Sequence, residues 1–246
     1  MEKTDSLHVQ KRTYWLKFLR SFMNDKKVEK FVLQKYFAPE KIPELRVKIE
    51  KQFEELLPQI PDFGQKKIGQ FSIDMMKTAQ SLVFYRVLQE EGVPLRTIGQ
   101  IMFEIAEVYY KNMSPFVKLI MRIRCYSPYF QRKTKRLIEK RMQSVHPEDY
   151  QTEFVEGDGE NLLFGLNYTK CAATNFLKEH DAVELHPYLC LCDYPMMRGF
   201  NIGFNRGQNI AIGGLMCTFR IYRDYPTPAG WPPEEVPEYQ NFQFGQ

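Results

Sequence analysis

The stretch that organises this chain is HPYLCLCDYPMMRGFNIGFNRGQNIAIGGLMCTFR, residues 186–220. It holds three of the five cysteines and five of the 14 glycines. Its last residues alternate apolar with polar side chains, a pattern typical of a strand with one buried face. We expect two strands here, at about Gly203–Ile212 and Leu215–Arg223, and we expect one hairpin to bring the cysteines together.

Alternation also predicts strands just upstream of this stretch. Gln151–Glu156 and Asn161–Tyr168 are joined by Gly157-Asp158-Gly159, which is a hairpin signal. A short amphipathic run, Thr169–Lys178, follows and has helical spacing. The sequence therefore predicts a small, mostly antiparallel four-stranded sheet with a helix inserted between its hairpins.

The first part of the chain has helical rather than alternating spacing. From about Lys11 to Met142 the apolar residues recur every three or four positions, and Asp25 and Gly92 are suited to begin and end helices. His146-Pro147 breaks the last of these helices. The prediction is an α+β fold, in which an N-terminal all-helical layer packs on a C-terminal sheet.

Three regions follow from these patterns. They are a helical region at 1–145, an α+β region carrying the motifs at 146–224, and a proline-rich tail at 225–246. The tail has too little apolar periodicity for a regular element. We expect an extended arm that packs on its own domain or on a neighbouring subunit, which makes a homo-oligomer possible.

Charge is distributed unevenly along the chain. Residues 1–145 carry a net charge of +12 and residues 146–246 carry −8, which gives the overall +4. Lys118–Arg141 holds nine basic side chains against one acid, with Tyr126, Tyr129 and Phe130 among them. Although such a composition occurs in nucleic-acid-binding surfaces, no nucleic-acid motif accompanies it, and a solvated helix face is the expected explanation.

Cysteine usage indicates the compartment. Five is an odd number, and no apolar segment of the signal-peptide type follows the charged start of the chain, so we expect a cytoplasmic protein with reduced thiols. No run approaches the roughly 18 apolar residues that a membrane span requires.

Six features follow one another in the last third of the chain. They are Cys171 opening a helix, Glu184-Leu185, Cys190 to Asp193, Arg206, Gly213 or Gly214, and Cys217 to Phe219. This order resembles the L-2-amino-thiazoline-4-carboxylic acid hydrolase family. Two positions depart from the pattern, namely Thr218, where the family often has an acid, and Asn209, where it often has threonine. The resemblance implies a hydrolase that acts on a carbon–nitrogen bond of a small cyclic amidine.

Opening a cyclic amidine requires a nucleophile, a carboxylate for the amidinium and a cation for the substrate's own carboxylate. We expect Cys190 to be the nucleophile, because a thiolate attacks well once a nearby cation lowers its pKa. Asp193 would hold the amidinium and Arg206 would clamp the substrate carboxylate. His186 is the nearest candidate general acid or base.

Three further residues complete the candidate site. Cys217 is a second possible catalytic thiol, and Cys171 and Asn209 are expected to contact substrate. Each cysteine is also open to a packing role, since cysteine is among the most buried residue types, and Asp193 with Arg206 is open to a structural ion pair. The alternative for the whole chain is therefore a non-catalytic small-molecule binding protein on the same fold.

Histidine and cysteine are also zinc ligands, so metal-assisted hydrolysis is the second possible mechanism. Structural zinc sites usually place two to four residues between paired cysteines, whereas Cys190 and Cys192 have one between them. We therefore expect no cofactor and no stoichiometric zinc.

Overall fold

The structure is a computed structural model of the chain, and it describes residues 2–61, 70–143 and 145–244. The chain divides into two compact units, one up to Tyr109 and one from Tyr110 onward. In the described part, every strand lies after residue 150, so the predicted change from helices to strands is confirmed.

The helices that begin in the first unit follow the predicted apolar stripes. They are α1 (Glu2–Met23), α2 (Lys26–Val28), α3 (Gln34–Tyr36), α4 (Lys41–Leu56), α5 (Gln70–Glu90) and α6 (Leu95–Lys111), with a π-helical turn at Glu29–Leu33 that joins α2 to α3. The apolar spacing predicts that the long helix α5 begins near Lys66, and that position lies outside the described residues.

Local signals set the ends of these helices. The Asp25 carboxylate accepts hydrogen bonds from the backbone N–H groups of Lys27 and Val28, so it caps α2 as predicted. Gly92 follows α5 with φ +77°, a conformation that disfavours residues with a Cβ. The buried residues of α4 recur at helical spacing: Ile42, Leu45, Ile49, Phe53 and Leu56.

The second unit is built on a four-stranded antiparallel sheet. Its strands are β1 (Gln151–Glu156), β2 (Leu162–Lys170), β3 (Gly203–Arg206) and β4 (Cys217–Tyr222), in the order β1-β2-β4-β3. The Asp158 carboxylate accepts from the backbone N–H groups of Glu160 and Leu162 in the turn between β1 and β2. The predicted first hairpin is therefore present.

Helices precede the sheet and interrupt it. They are α7 (Pro115–Tyr126), α8 (Pro128–Met142), α9 (Ala172–Glu179), α10 (His186–Leu191) and α11 (Asp193–Gly199). Helix α8 packs on β1, while α9 to α11 lie between the two hairpins in sequence. None of the described helices is both long enough and apolar enough to cross a bilayer.

Two expectations about the 186–220 stretch were wrong in detail. The segment before Gly203 is helical, so Cys190 and Asp193 do not come from a hairpin. The predicted strand Gly203–Ile212 ends at Arg206, because the Asn209 side chain accepts from the Ala211 N–H and caps a short 3-10 turn, Ile210–Ile212.

The tail contains more regular structure than its sequence pattern indicates. It forms 3-10 turns at Pro233–Glu235 and Pro237–Tyr239, and it packs on its own unit. Val236 and Tyr239 are buried, and Phe244 lies against the ring of Tyr188. The tail thereby reaches α10, which carries part of the motif stretch.

Candidate functional site

The candidate site is built around Arg206, whose side chain is only 1% exposed at the end of β3. Its Nε donates to both carboxylate oxygens of Glu238, at 2.8 and 3.0 Å, and its Nη1 donates to Asp193 Oδ2 at 2.8 Å. Its Nη2 donates to the Cys190 carbonyl oxygen at 3.0 Å and to Glu238 at 2.8 Å. One guanidinium thus ties α10, α11 and the tail to the sheet.

Two carboxylates make this buried charge tolerable. Burial alone would lower the pKa of Arg206, but the charge and hydrogen bonds of Glu238, together with neighbouring groups, outweigh that effect and hold the pKa well above its usual value. The Glu238 side chain is fully buried, whereas Asp193 is 27% exposed. In this buried triad of Arg206, Glu238 and Asp193, Asp193 is therefore the residue that solvent or a ligand can reach.

Two tyrosines complete the network. The Tyr194 hydroxyl donates to Glu238 Oε1 at 2.7 Å. The Tyr239 hydroxyl accepts from Asn209 Nδ2 at 2.8 Å and donates to the Pro187 carbonyl at 3.2 Å. Burial raises the pKa of both phenols, so they remain protonated donors at neutral pH.

Glu238 and Tyr239 were not among the sequence-predicted site residues. They lie in a proline-rich segment without periodicity, more than 30 positions after Arg206. The only available signal was indirect: a buried arginine needs a counter-charge, and Asp193 is the sole acid between residues 186 and 220.

Cys190 lies beside this network on α10. The residue as a whole is half-buried, and burial of its thiol is the main reason why the pKa of Cys190 rises to about 12. Arg206 opposes the rise, but the charges of Asp193 and Glu238 add to it. The cation that was expected to activate Cys190 is thus neutralised by two carboxylates.

Cys217 is buried at the start of β4. Burial, and next to it the neighbouring Cys190 thiol, raise its pKa to about 12. Its Sγ accepts from the Ile210 N–H at 3.3 Å and donates to Asn209 Oδ1 at 3.6 Å. These contacts make Cys217 part of the support of the Asn209 turn.

Cys171 has different surroundings. It is half-buried at the N-cap of α9, and its Sγ lies 3.7 Å from Nε2 of His186. The opposite ring nitrogen, Nδ1, lies 3.3 Å from the hydroxyl of Thr174, one turn into α9. His186 itself is 2% exposed, so the packing of α10 against α9 fixes the ring.

This arrangement has the three parts of an activated nucleophile: a thiol, an adjacent base and a group that orients the base. A helix N-terminus also favours a negative sulfur. From the sequence we expect Cys190 as the nucleophile, with His186 as the nearest candidate general acid or base. The structure instead places the imidazole against Cys171.

All seven predicted site residues lie in one connected cluster of the second unit. The Cys171 thiol is close enough to Cys217 to raise the pKa of Cys217 further. Cys192 points elsewhere, and its Sγ donates to the Tyr188 carbonyl at 3.7 Å. Within the described ranges, no three His, Cys, Asp or Glu side chains are grouped as metal ligands would be.

No curated protein and no solved structure matches the chain in sequence or structure comparisons. A family comparison does give a match, over a segment that contains all seven predicted site residues but ends before Glu238 and Tyr239. The resemblance seen in the motif order is thereby confirmed: residues 122–221 match the model of the L-2-amino-thiazoline-4-carboxylic acid hydrolase family.

Proposed function

We propose that this protein is a hydrolase that opens a cyclic amidine of the 2-aminothiazoline-4-carboxylate type at a carbon–nitrogen bond, with Cys171 as nucleophile. The observation that carries the proposal is the Cys171–His186–Thr174 arrangement within the family-matched segment. It supplies nucleophile, base and orienting group in one place.

Cys171 is a better candidate nucleophile than the initially expected Cys190. A thiol with a pKa near 12 has almost no thiolate at neutral pH, and this applies to both Cys190 and Cys217. Among the described residues, neither of these thiols has a hydrogen bond to an imidazole, whereas Cys171 faces one. Proton removal from Cys171 is therefore available within the site.

The reaction follows from this geometry. In the tautomer that this mechanism requires, His186 carries its proton on Nδ1, 3.3 Å from the Thr174 hydroxyl, and the lone pair of Nε2 faces the thiol. The thiol gives its proton to Nε2 and the thiolate adds to the amidine carbon. The tetrahedral adduct then breaks its bond to the ring nitrogen, which leaves with the proton from His186.

Water completes the cycle. His186 takes one proton from a water molecule as the water oxygen adds to the same carbon. The bond from that carbon to the Cys171 sulfur breaks as the carbonyl forms, and the sulfur recovers the proton from His186. The second proton of the water passes to the freed amine. One water is consumed and the free thiol is restored.

In this proposal the buried triad positions the substrate's charge. Asp193, the partly exposed acid, binds the amidinium by a charge-assisted hydrogen bond. Arg206 and Glu238 are positioning residues, because they fix Asp193 without facing solvent themselves. This role for Arg206 differs from the expected clamp on the substrate's carboxylate, since its donors are directed at internal acceptors. Asn209, also expected to contact substrate, is instead given a supporting role beside Tyr239.

All five cysteines are free thiols, and this supports the proposal that the protein functions in a reducing compartment such as the cytoplasm. The alternative of a non-catalytic small-molecule binding protein is favoured by one observation. Cys190 and Cys217 have the high pKa values of packing thiols. The two functions differ in what they require of Cys171, because only the hydrolase needs it to be reactive.

The test is turnover of 2-aminothiazoline-4-carboxylate by the full chain and by Cys171→Ala, with Cys125→Ala as matched control. Cys125 is a free thiol outside the cluster, and burial raises its pKa to about 11. We expect Cys171→Ala to lose several orders of magnitude in rate and the control to keep its rate. Wild-type protein that binds this compound without consuming it would instead support the binding protein.

A further inference from the structure

Helix α7 has an apolar stripe that nothing in the described part of the chain covers. Phe116, Leu119, Ile120 and Ile123 occupy positions i, i+3, i+4 and i+7, so they share one face. They are 68%, 54%, 41% and 51% exposed, and no residue of α7 is fully buried. Large apolar side chains exposed together on one face mark an interaction surface.

The rest of α7 is basic. Its charged residues are Lys118, Arg122 and Arg124, and it contains no acid. Arg122 lies over the ring of Tyr126, whose hydroxyl donates to the Arg223 carbonyl at 2.9 Å. Tyr126 thus attaches the end of α7 to the segment after β4, while the apolar stripe stays exposed.

The next helix adds more positive charge. Helix α8 buries Ile138, and Lys135 pairs with Glu156 at the end of β1. The opposite face carries exposed basic residues that form no ion pair with any described residue: Arg132, Lys133, Arg136 and Lys140. Tyr129 and Leu137 are also exposed on α8, at 62% and 58%.

We propose that α7 and α8 form a docking surface for an anionic phospholipid membrane, with the α7 stripe inserted among the acyl chains and the basic residues against the headgroups. A helix with one apolar face and a lysine- and arginine-rich polar face is the form that binds in the plane of a membrane interface. This surface is separate from the thiol cluster, and the proposal does not depend on the hydrolase function.

Charge and chemistry favour a lipid over two other partners. Three of the four stripe residues are aliphatic and offer no ring on which a nucleic-acid base stacks. A second copy of the same face would bring basic helices together, and like charges repel. Acyl chains and anionic headgroups match both halves of the surface.

The test uses the full chain and extruded vesicles of phosphatidylcholine, either alone or with phosphatidylserine, in a co-sedimentation assay. We expect partitioning to the phosphatidylserine vesicles, little to the neutral ones, and a decrease as salt is raised. Equal partitioning to both vesicle types would overturn the charge argument, and no partitioning to either would overturn the proposal.

Two double variants and one matched control test whether α7 and α8 form the membrane-binding surface. Arg132→Gln with Arg136→Gln should lower the partition coefficient on the order of 10-fold or more. Phe116→Ser with Ile120→Ser should lower it similarly, because the inserted apolar area is lost. The control is Val47→Ser with Lys51→Gln on α4, where Val47 is 70% exposed, and it should bind as wild type does.

Other outcomes would contradict the proposal. If an RNA oligonucleotide is bound at the same salt while the vesicles are not, the basic surface binds nucleic acid. If sedimentation velocity shows a dimer that Phe116→Ser with Ile120→Ser dissociates, the stripe is an interface between copies. If the α4 control loses vesicle binding as strongly as the α7 variant, the site has been placed on the wrong helix.

Discussion

Removing the charge of Glu238 tests whether the tail holds the site together. Glu238→Gln preserves the size of the side chain but removes the carboxylate that accepts from both Nε and Nη2 of Arg206. The guanidinium, 1% exposed, would keep Asp193 as its only ion-pair partner among the described residues. Breaking a buried ion pair from one side costs about 3–5 kcal/mol. This range applies because Asp193 accepts only from Nη1, so the Nε and Nη2 side of the guanidinium loses its counter-charge.

The expected loss is large enough to measure by thermal melting. At about 2–4 °C per kcal/mol for a chain of this size, Glu238→Gln should lower the melting temperature by roughly 6–20 °C. The matched control is Glu235→Gln, three residues earlier in the same tail and exposed. It should change the melting temperature by about 2 °C at most, since most surface substitutions stay within ~0.5 kcal/mol.

Kinetics separate a positioning role from simple stabilisation. Below the melting temperature of the variant, displacement of Arg206 and Asp193 should lower kcat/KM by roughly 10- to 100-fold. Glu238→Asp, which restores the charge on a shorter side chain, should recover part of that loss. The reasoning fails if Glu238→Gln melts and turns over as wild type does, or if Glu235→Gln is equally damaging.

The remaining predictions concern the thiols. Cys190→Ala should keep most of its turnover and lose about 1–2 kcal/mol of stability by melting, because it removes a packed thiol rather than the nucleophile; abolished turnover in a folded variant would return the nucleophile to Cys190. Iodoacetamide should alkylate Cys171 first, and mass spectrometry that finds Cys190 or Cys217 labelled faster at pH 8 would contradict their raised pKa values. Folding raises the pKa of the Cys190 and Cys217 thiols, so the folded protein keeps their protons at a pH at which the unfolded chain releases them. Their contribution to stability should therefore be complete below about pH 9 and lost as the pH rises towards 12. Denaturant titrations across this pH range measure the loss. Elemental analysis should find no stoichiometric zinc, and one zinc per chain that is lost in Cys190→Ala would refute this.

Much of the fold is determined by local sequence. The change from helical to alternating spacing near residue 146 separates helices from strands because each element buries one face with its own period. The Asp25 cap, the positive φ at Gly92 and the turn at Gly157–Gly159 depend on residues within a few positions of each other. Such features are visible in sequence because their partners are close along the chain.

The 186–199 segment shows where local pattern is insufficient. Its apolar run is short, and a short apolar run fits a buried strand as well as a buried helix. Pro187 at the first turn of α10 and Asp193 in the first turn of α11 are compatible with the helices that form. Tertiary packing, which includes the contacts of α10 with α9 and with the Ile210–Ile212 turn, selects the helix and brings His186 to Cys171.

The sequence by itself determined the fold class and the inserted helix, and it supplied seven side chains of the candidate site, but not Glu238 or Tyr239. The tertiary structure decided how they pair: His186 with Cys171 across 15 positions, and Arg206 with Glu238 across 32. A buried guanidinium must be neutralised by acids within hydrogen-bond distance, wherever in the chain they lie. That requirement acts through space, so no periodicity or motif in residues 225–246 could reveal it.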